Sequence, residues 1–388
     1  MRALFVVLSE LGHVHPFIGP AQALARRGHA VGFYAPCDLR GPLGRAGFSD
    51  VFVGSPEAAP PPDGNRGRAF AALVRDPTRL RAWIRAMLVD TVPLEVQRLT
   101  AVVDAFRPDV IVADPMAYAA PIVAARRGLP WAGVSTSLNP VVPDGWTSEL
   151  IATTSALPRA ALFAEYGVSG ARFRVSDCLS ADLNVAFTTS ALVGEAPPDV
   201  LLAGASLPLA ARGDEGELPA LDAARPLVFM ALGSQIYHQP RMFEVAVAAS
   251  RGQAWQLVLA MGGLAGALDL PPDVTAVAYA PQLALLRRAR AMISHGGANS
   301  VMEALAHGVP LLVSPICNDQ PHNARFVAAA GAGVTCDLAR ATADEVRAHL
   351  VALCGDGPQR AAAAAIGRSY HAAGGAAKVA AAVEGLAR

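Results

Sequence analysis

A repeated alternation restricts this chain more than any other feature: a short run of consecutive apolar residues, a stretch with apolar residues at helical spacing, then another apolar run. Ala3–Leu8 is followed by a loop, an amphipathic segment from Phe17 to Arg27, the pair Gly28-His29 and a second run, Ala30–Tyr34. This is the pattern of a β-α-β unit. It recurs as Val110–Ala113, Met116–Arg127 and Trp131–Ser135, so the first half is expected to form a mostly parallel sheet wrapped by helices. The second half repeats the theme with strands expected at Leu227–Leu232, Gln256–Ala260, Val274–Ala278, Ala291–Ser294 and Pro310–Val313. A chain of 388 residues, 53% of them hydrophobic, exceeds what one core usually serves. The expected fold class is therefore α/β with two parallel-sheet domains, at residues 1–210 and 220–360. The polar, Gly- and Pro-containing stretch from Gly204 to Arg225 marks the linker. Residues 361–388 are expected to form two helices broken at Gly374-Gly375, the last crossing back to the N-terminal domain.

Charge and cysteine usage narrow the function classes. With 32 basic against 32 acidic residues there is no global field to gather a polyanion, so no nucleic-acid partner is expected. Cys37, Cys178, Cys317, Cys336 and Cys354 are scattered without metal-ligand spacing and fit reduced thiols in a cytoplasmic protein. Met1–Leu8 reads as a core strand rather than a signal peptide, and no transmembrane segment is expected. Arginines 66, 68, 75, 79, 81 and 85 interleave with Phe70, Leu73, Leu80, Trp83, Ile84 and Met87. This reads first as a helix with an apolar inner face; peripheral contact with a membrane is the alternative.

The segment that carries chemistry is His295-Gly296-Gly297-Ala298-Asn299-Ser300, between the strand ending at Ser294 and a helix running through Glu303. Small residues after a strand let the backbone approach a ligand, and the amides at a helix start suit a diphosphate. Asn299 and Ser300 add donors, and the Glu303 carboxylate can accept from ribose hydroxyls. A structural glycine turn with a Ser or Asn helix cap is the competing reading.

From Tyr279-Ala280-Pro281-Gln282, through His295-Gly296-Gly297, Asn299-Ser300, Glu303 and Gly308-Val309-Pro310, to Asp319-Gln320-Pro321 and Asn323-Ala324, the chain resembles the donor-binding signature of the nucleotide-sugar-dependent glycosyltransferases of the GT-B fold. That group includes plant natural-product and bacterial macrolide and carotenoid glycosyltransferases. The resemblance implies two Rossmann-like domains facing each other across a cleft. It implies that the base rests beside Tyr279 and Gln282, the pyrophosphate on His295 and the amides after it, the ribose on Glu303, and the sugar on Asp319 and Gln320. Gly233-Ser234 resembles the loop that touches the β-phosphate. Tyr279 stands where plant members usually carry Trp, which keeps a ring for stacking and leaves both pyrimidines open. Glu303 favours UDP-glucose, since a deoxyribose forfeits one hydrogen bond; a TDP-sugar is the alternative.

Gly12-His13-Val14-His15-Pro16 follows the first strand and resembles the family loop that carries the catalytic base, with His15 where Asn is more usual. His13 is the expected base and His15 the alternative. An imidazole works best when a carboxylate holds its opposite N–H, and Asp114, at the end of Val110–Ala113, is the expected orienter. Capping of the following helix is its other reading. The implied reaction is a single inverting displacement on the anomeric carbon. No Asp-X-Asp pair is present to hold a metal, so the leaving diphosphate is expected to be stabilised by the helix start at 295–300 and by Ser234. No cofactor is expected beyond the nucleotide-sugar co-substrate, and the acceptor is expected to be small and apolar, its pocket shaped by Phe70–Leu94 and by Thr136–Leu150 with Trp146. Gly262–Gly266 lacks dinucleotide-binding spacing. A sugar-nucleotide epimerase or a silent sugar-nucleotide-binding helper of the same fold are the rival functions.

Overall fold

The computed structural model describes residues 1–54, 63–268 and 270–387; the side chains of residues 63–66, including Arg66 of the basic run, lie outside the described residues. The first strands are β1 (Arg2–Val6), β2 (Ala30–Ala35), β3 (Val51–Val53), β4 (Val110–Ala113) and β5 (Trp131–Ser135). A hairpin of β6 (Arg172–Arg174) and β7 (Asp177–Leu179) precedes β8 (Leu183–Ala186) and β9 (Val200–Leu202). Among the described residues the first sheet is ordered β3-β2-β1-β4-β5-β8-β9, with every pairing parallel. The second contains β10 (Leu227–Ala231), β11 (Gln256–Ala260), β12 (Val274–Val277), β13 (Ala289–Ser294), β14 (Leu311–Val313) and β15 (Gly333–Thr335), ordered β12-β11-β10-β13-β14-β15 and again all parallel.

Burial explains why these strands read as continuous apolar runs. In β1, Ala3 and Phe5 join one buried layer while Leu4 and Val6 join the layer on the opposite face. In β10, Leu227, Phe229 and Ala231 are divided from Val228 and Met230 in the same way. Both faces of each sheet are covered, which is the condition for a parallel sheet. Strand order reverses between β1 and β4 and between β10 and β13. Each reversal opens a crevice at the carboxyl ends of the strands, where ligands of doubly wound sheets bind.

The structure corrects two helix boundaries. The first helix begins at Leu11, not Phe17, and carries His13, His15, Pro16 and Pro20 within it. Proline lacks an N–H and normally ends a helix, so each one frees the carbonyl four residues earlier. The carbonyl of Pro16, freed by Pro20, accepts instead from the Ser206 hydroxyl at 2.6 Å. Gly19 lets the same linker pass over the helix, because a Cβ there would collide with the Leu207 carbonyl. The helix after β4 begins at Ala119 rather than Met116, since Asp114 Oδ1 accepts from the Met116 amide at 2.9 Å and turns the chain first.

The chain from 203 to 226 contains no helix or strand. The final helix, Gly375–Leu386, lies against Leu11–Arg26, with Glu384 accepting from Arg27 at 2.7 Å and paired with His29 at 2.6 Å. No helix among the described residues is long and apolar enough to cross a membrane.

Candidate active site

Both crevices open onto one cavity of about 660 Å³, lined from the first sheet by His13, Thr136 and Asn139 and from the second by Ser234, His295 and Asp319. The first turn of Leu11–Arg26 holds His13 beside the end of β4. Its Nδ1 lies 2.7 Å from Oδ2 of Asp114, whose side chain is fully buried while that of His13 keeps 25% of its surface exposed. With Nδ1 engaged, Nε2 is the nitrogen left for a ligand. Thr136, the first residue after β5, joins the pair, with Oγ1 2.8 Å from His13 Nδ1 and donating to Asp114 Oδ2 at 2.9 Å. Burial disfavours a charged ring, but the Asp114 carboxylate outweighs it, helped by Glu10 and Asp319, and His13 is pushed up to about 9.

His15 also lines the cavity, but on the side of the linker. Its Nε2 is 3.9 Å from Asp214 in the linker, and burial together with the Arg212 cation pulls it down to about 4. Behind the dyad, Ser135 donates to Asp177 at 2.6 Å and Asn139 at 2.8 Å, holding a carboxyl group that burial pushes up to about 7.

On the opposite wall, β13 ends at Ser294 and His295 packs its ring between two glycines. A Cβ on Gly233 would come within 2.9 Å of His295 Nε2, and one on Gly297 within 2.6 Å. Gly296, at φ +87°, has no room either, since its Cβ would lie 2.7 Å from Val313. The helix Ala298–Ala306 follows, with Gly297 as N-cap and no side-chain cap. A Ser or Asn cap is thereby ruled out, and the first amides of the helix remain open to an anion. Asn299 instead reaches one turn along the helix and donates to Glu303 Oε1 at 3.1 Å. Burial pulls His295 down to about 4, so the ring is neutral at physiological pH, and its Nδ1 is buried without a partner.

Asn323 links the loops after β13 and β14, donating to the Gly296 carbonyl at 2.9 Å and to Asp319 at 2.8 Å. Burial raises Asp319 above the usual carboxylate range. Gln320 is only partly available: its Oε1 already accepts the amides of Ile316 and Cys317 at 2.8 and 3.0 Å, and its Nε2 donates to Cys317 Sγ at 3.8 Å, which leaves one N–H of the amide for a ligand. Asn318, just before Asp319 and at φ +55°, lines the same cavity and was not picked out by sequence reasoning.

The linker also enters the site, and sequence reasoning gave it no such role. Arg212 Nη1 donates to Glu303 Oε1 at 2.5 Å, and its Nε and Nη2 grip Asp214 at 2.7 and 2.6 Å. The Tyr279 hydroxyl donates to Asp214 at 2.5 Å, while the ring is half exposed. Gln282 completes the Glu303 shell, donating to Oε2 at 2.7 Å.

The far end of the cavity is apolar. Phe70, Trp83, Ile84, Met87, Leu88, Met116 and Leu150 line it. Phe70 and Trp83 meet edge to face at 5.1 Å. Met87 and Leu88 belong to a π-helical turn, Ala86–Asp90, that continues the helix Pro77–Arg85. Trp146, expected to shape this pocket, does not line it and instead joins the two halves, 4.8 Å from Phe326 and under Arg325 at 4.0 Å.

Known proteins are similar to this chain in architecture and in sequence. The family model for the C-terminal domain of erythromycin biosynthesis protein CIII-like proteins matches residues 257–386. The elloramycin glycosyltransferase ElmGT of Streptomyces olivaceus is 33% identical over 357 residues, 88% of this chain and 87% of its own. The demethyllactenocin mycarosyltransferase of Streptomyces fradiae is 28% identical over 84% of this chain and 73% of its own. The crystal structure of the kitacinnamycin glycotransferase superposes with a TM-score of 0.81 at 25% identity, covering 100% of this chain and 99% of that one.

Proposed function

Since this chain belongs to the natural-product glycosyltransferases of the GT-B fold, we propose that it moves a hexose, without a metal and with inversion, from a pyrimidine nucleoside diphosphate to a hydroxyl of a small apolar acceptor. The observation that carries this reading is the placement of the His13–Asp114 pair across one cavity from the open helix start at Ala298. The acceptor lies along Phe70, Trp83 and Met87 with its hydroxyl at His13 Nε2. As the acceptor oxygen bonds to the anomeric carbon, its proton passes to Nε2. The bond from that carbon to the β-phosphate oxygen breaks, and its electron pair stays with the diphosphate. Asp114 holds the resulting imidazolium, and the amides after His295, with Ser234, take the charge of the leaving group. A neutral His295 contributes hydrogen bonding there rather than charge. Asp319 and the amide of Gln320 orient the sugar.

UDP-glucose and TDP-glucose are the donors to test, in EDTA, against a panel of apolar hydroxyl-bearing aglycones, with anomeric configuration read by NMR. Transfer with inversion, lost in His13→Ala while nucleoside diphosphate still binds, is the expected result. Donor epimerised without an acceptor, or transfer undiminished in His13→Ala, overturns the reading.

A further inference from the structure

We propose that Arg212, from the segment joining the two sheets, is a specificity-determining residue that leaves Glu303 room for one ribose hydroxyl, so that the donor site does not select for a 2′-hydroxyl. The proposal rests on the reading above, in which the donor ribose lies on Glu303.

The argument is a count of acceptor positions. A carboxylate offers about four lone-pair sites, two on each oxygen. Oε1 of Glu303 is filled by Arg212 at 2.5 Å and Asn299 at 3.1 Å, and Oε2 holds Gln282 at 2.7 Å. One position remains, on Oε2. A ribose presenting both hydroxyls to this carboxylate needs two, whereas a 2′-deoxyribose needs one. The carboxylate that would single out a ribonucleotide if it stood free therefore has three of its four positions committed, one of them to a side chain from the linker.

Arg212 is not placed to swing aside. It is 4% exposed and Glu303 only 1%. Asp214 holds the other edge of the guanidinium through two bonds, and the Tyr279 hydroxyl in turn donates to Asp214. Glu215 accepts the Arg212 and Gly213 amides at 2.5 and 2.9 Å, which fixes the backbone that carries the side chain. Burial opposes the guanidinium charge, but Glu303 and Asp214 more than offset it, so the cation stays at every accessible pH. Arg212 and Glu303 both line the main cavity, so the pair meets the ligand directly.

The test compares UDP with 2′-deoxy-UDP, which differ only at the 2′-hydroxyl, by isothermal titration in EDTA, with TDP as a third probe for the base. The wild-type chain is expected to bind UDP and 2′-deoxy-UDP within about threefold of each other. Arg212→Met frees a position on Oε1 and is expected to shift the ratio about tenfold towards UDP, the worth of one hydrogen bond to a charged acceptor. A wild-type preference of tenfold or more for UDP overturns the proposal without any variant having to fold. An unchanged ratio in a folded Arg212→Met chain overturns it as well. If none of the three nucleotides binds, the donor-site reading itself fails and the proposal falls with it, an outcome distinct from binding without the expected ratio.

Discussion

His13 Nδ1 sits 2.7 Å from Asp114 Oδ2, and the Thr136 hydroxyl is within hydrogen-bond reach of both atoms. The imidazole is thus held by a buried carboxylate at one nitrogen and offered to the cavity by the other. Asp114→Asn keeps the shape and removes the charge that stabilises the imidazolium. Its kcat is expected to fall by about 10²–10⁴, the usual worth of a positioned acid-base group. Nucleoside diphosphate affinity is expected to stay within about twofold, because the donor loop lies on the other sheet. Steady-state kinetics beside calorimetry decides; a collapse of affinity with kcat intact would reverse the roles assigned to the two walls.

The raised His13 value fixes the direction of the pH dependence. A base must be neutral to accept a proton, so kcat/KM is expected to climb with pH towards a midpoint near 9, not 6.5. Asp114→Asn is expected to move that midpoint down. Stability runs the opposite way. A histidine whose folded value exceeds its unfolded one contributes fully below about 6.5, and the contribution is lost as pH rises through about 9. Melting temperatures of the wild type and His13→Gln are therefore expected to differ most at acid pH and to converge above 9.

Gly296 is a position where the backbone itself makes the site. Its φ of +87° disfavours any side chain, and a Cβ would meet Val313. Gly296→Ala is expected to lose about 1–3 kcal/mol of stability, the scale of a strained backbone, and to weaken nucleotide binding by shifting the amides that precede the helix. Thermal melts with and without nucleotide separate the two effects. A variant with wild-type melting and wild-type affinity would show that the loop tolerates a different path.

The fold was legible wherever strands are central and covered on both faces. β1, β4, β5, β10, β11 and, from Ala291 on, β13 read largely as apolar runs because each contributes to two buried layers. β3, β9 and β15 span three residues each, too few to show a period. The first helix was misplaced because Pro16 and Pro20 mimic a start, and what tolerates them is tertiary: Ser206 satisfies the carbonyl that Pro20 releases. His13, Asp114 and the 295–303 segment were legible because each follows a strand at a sheet edge. Thr136 follows β5 in the same way and was open to the same argument. Arg212 was not: its partner, Glu303, is 91 residues away, and only the path of the linker across the second domain brings the two together.

The apolar end of the cavity gives the last prediction. Trp83 packs edge to face on Phe70 at 5.1 Å, and both face the space that His13 overlooks. An acceptor lying there covers part of the indole. Burying a whole large apolar side chain is worth about 1.5–3 kcal/mol, so losing partial coverage should weaken acceptor binding by about tenfold. Trp83→Ala is therefore expected to raise the acceptor KM to that extent, with donor affinity unmoved, since Ser234, His295 and Asp319 come from the second sheet. Trp83→Phe should recover most of the loss, because a ring is what the acceptor meets. If kcat falls while the acceptor KM holds, Trp83 instead supports the His13 end of the first domain, and the acceptor runs along another wall.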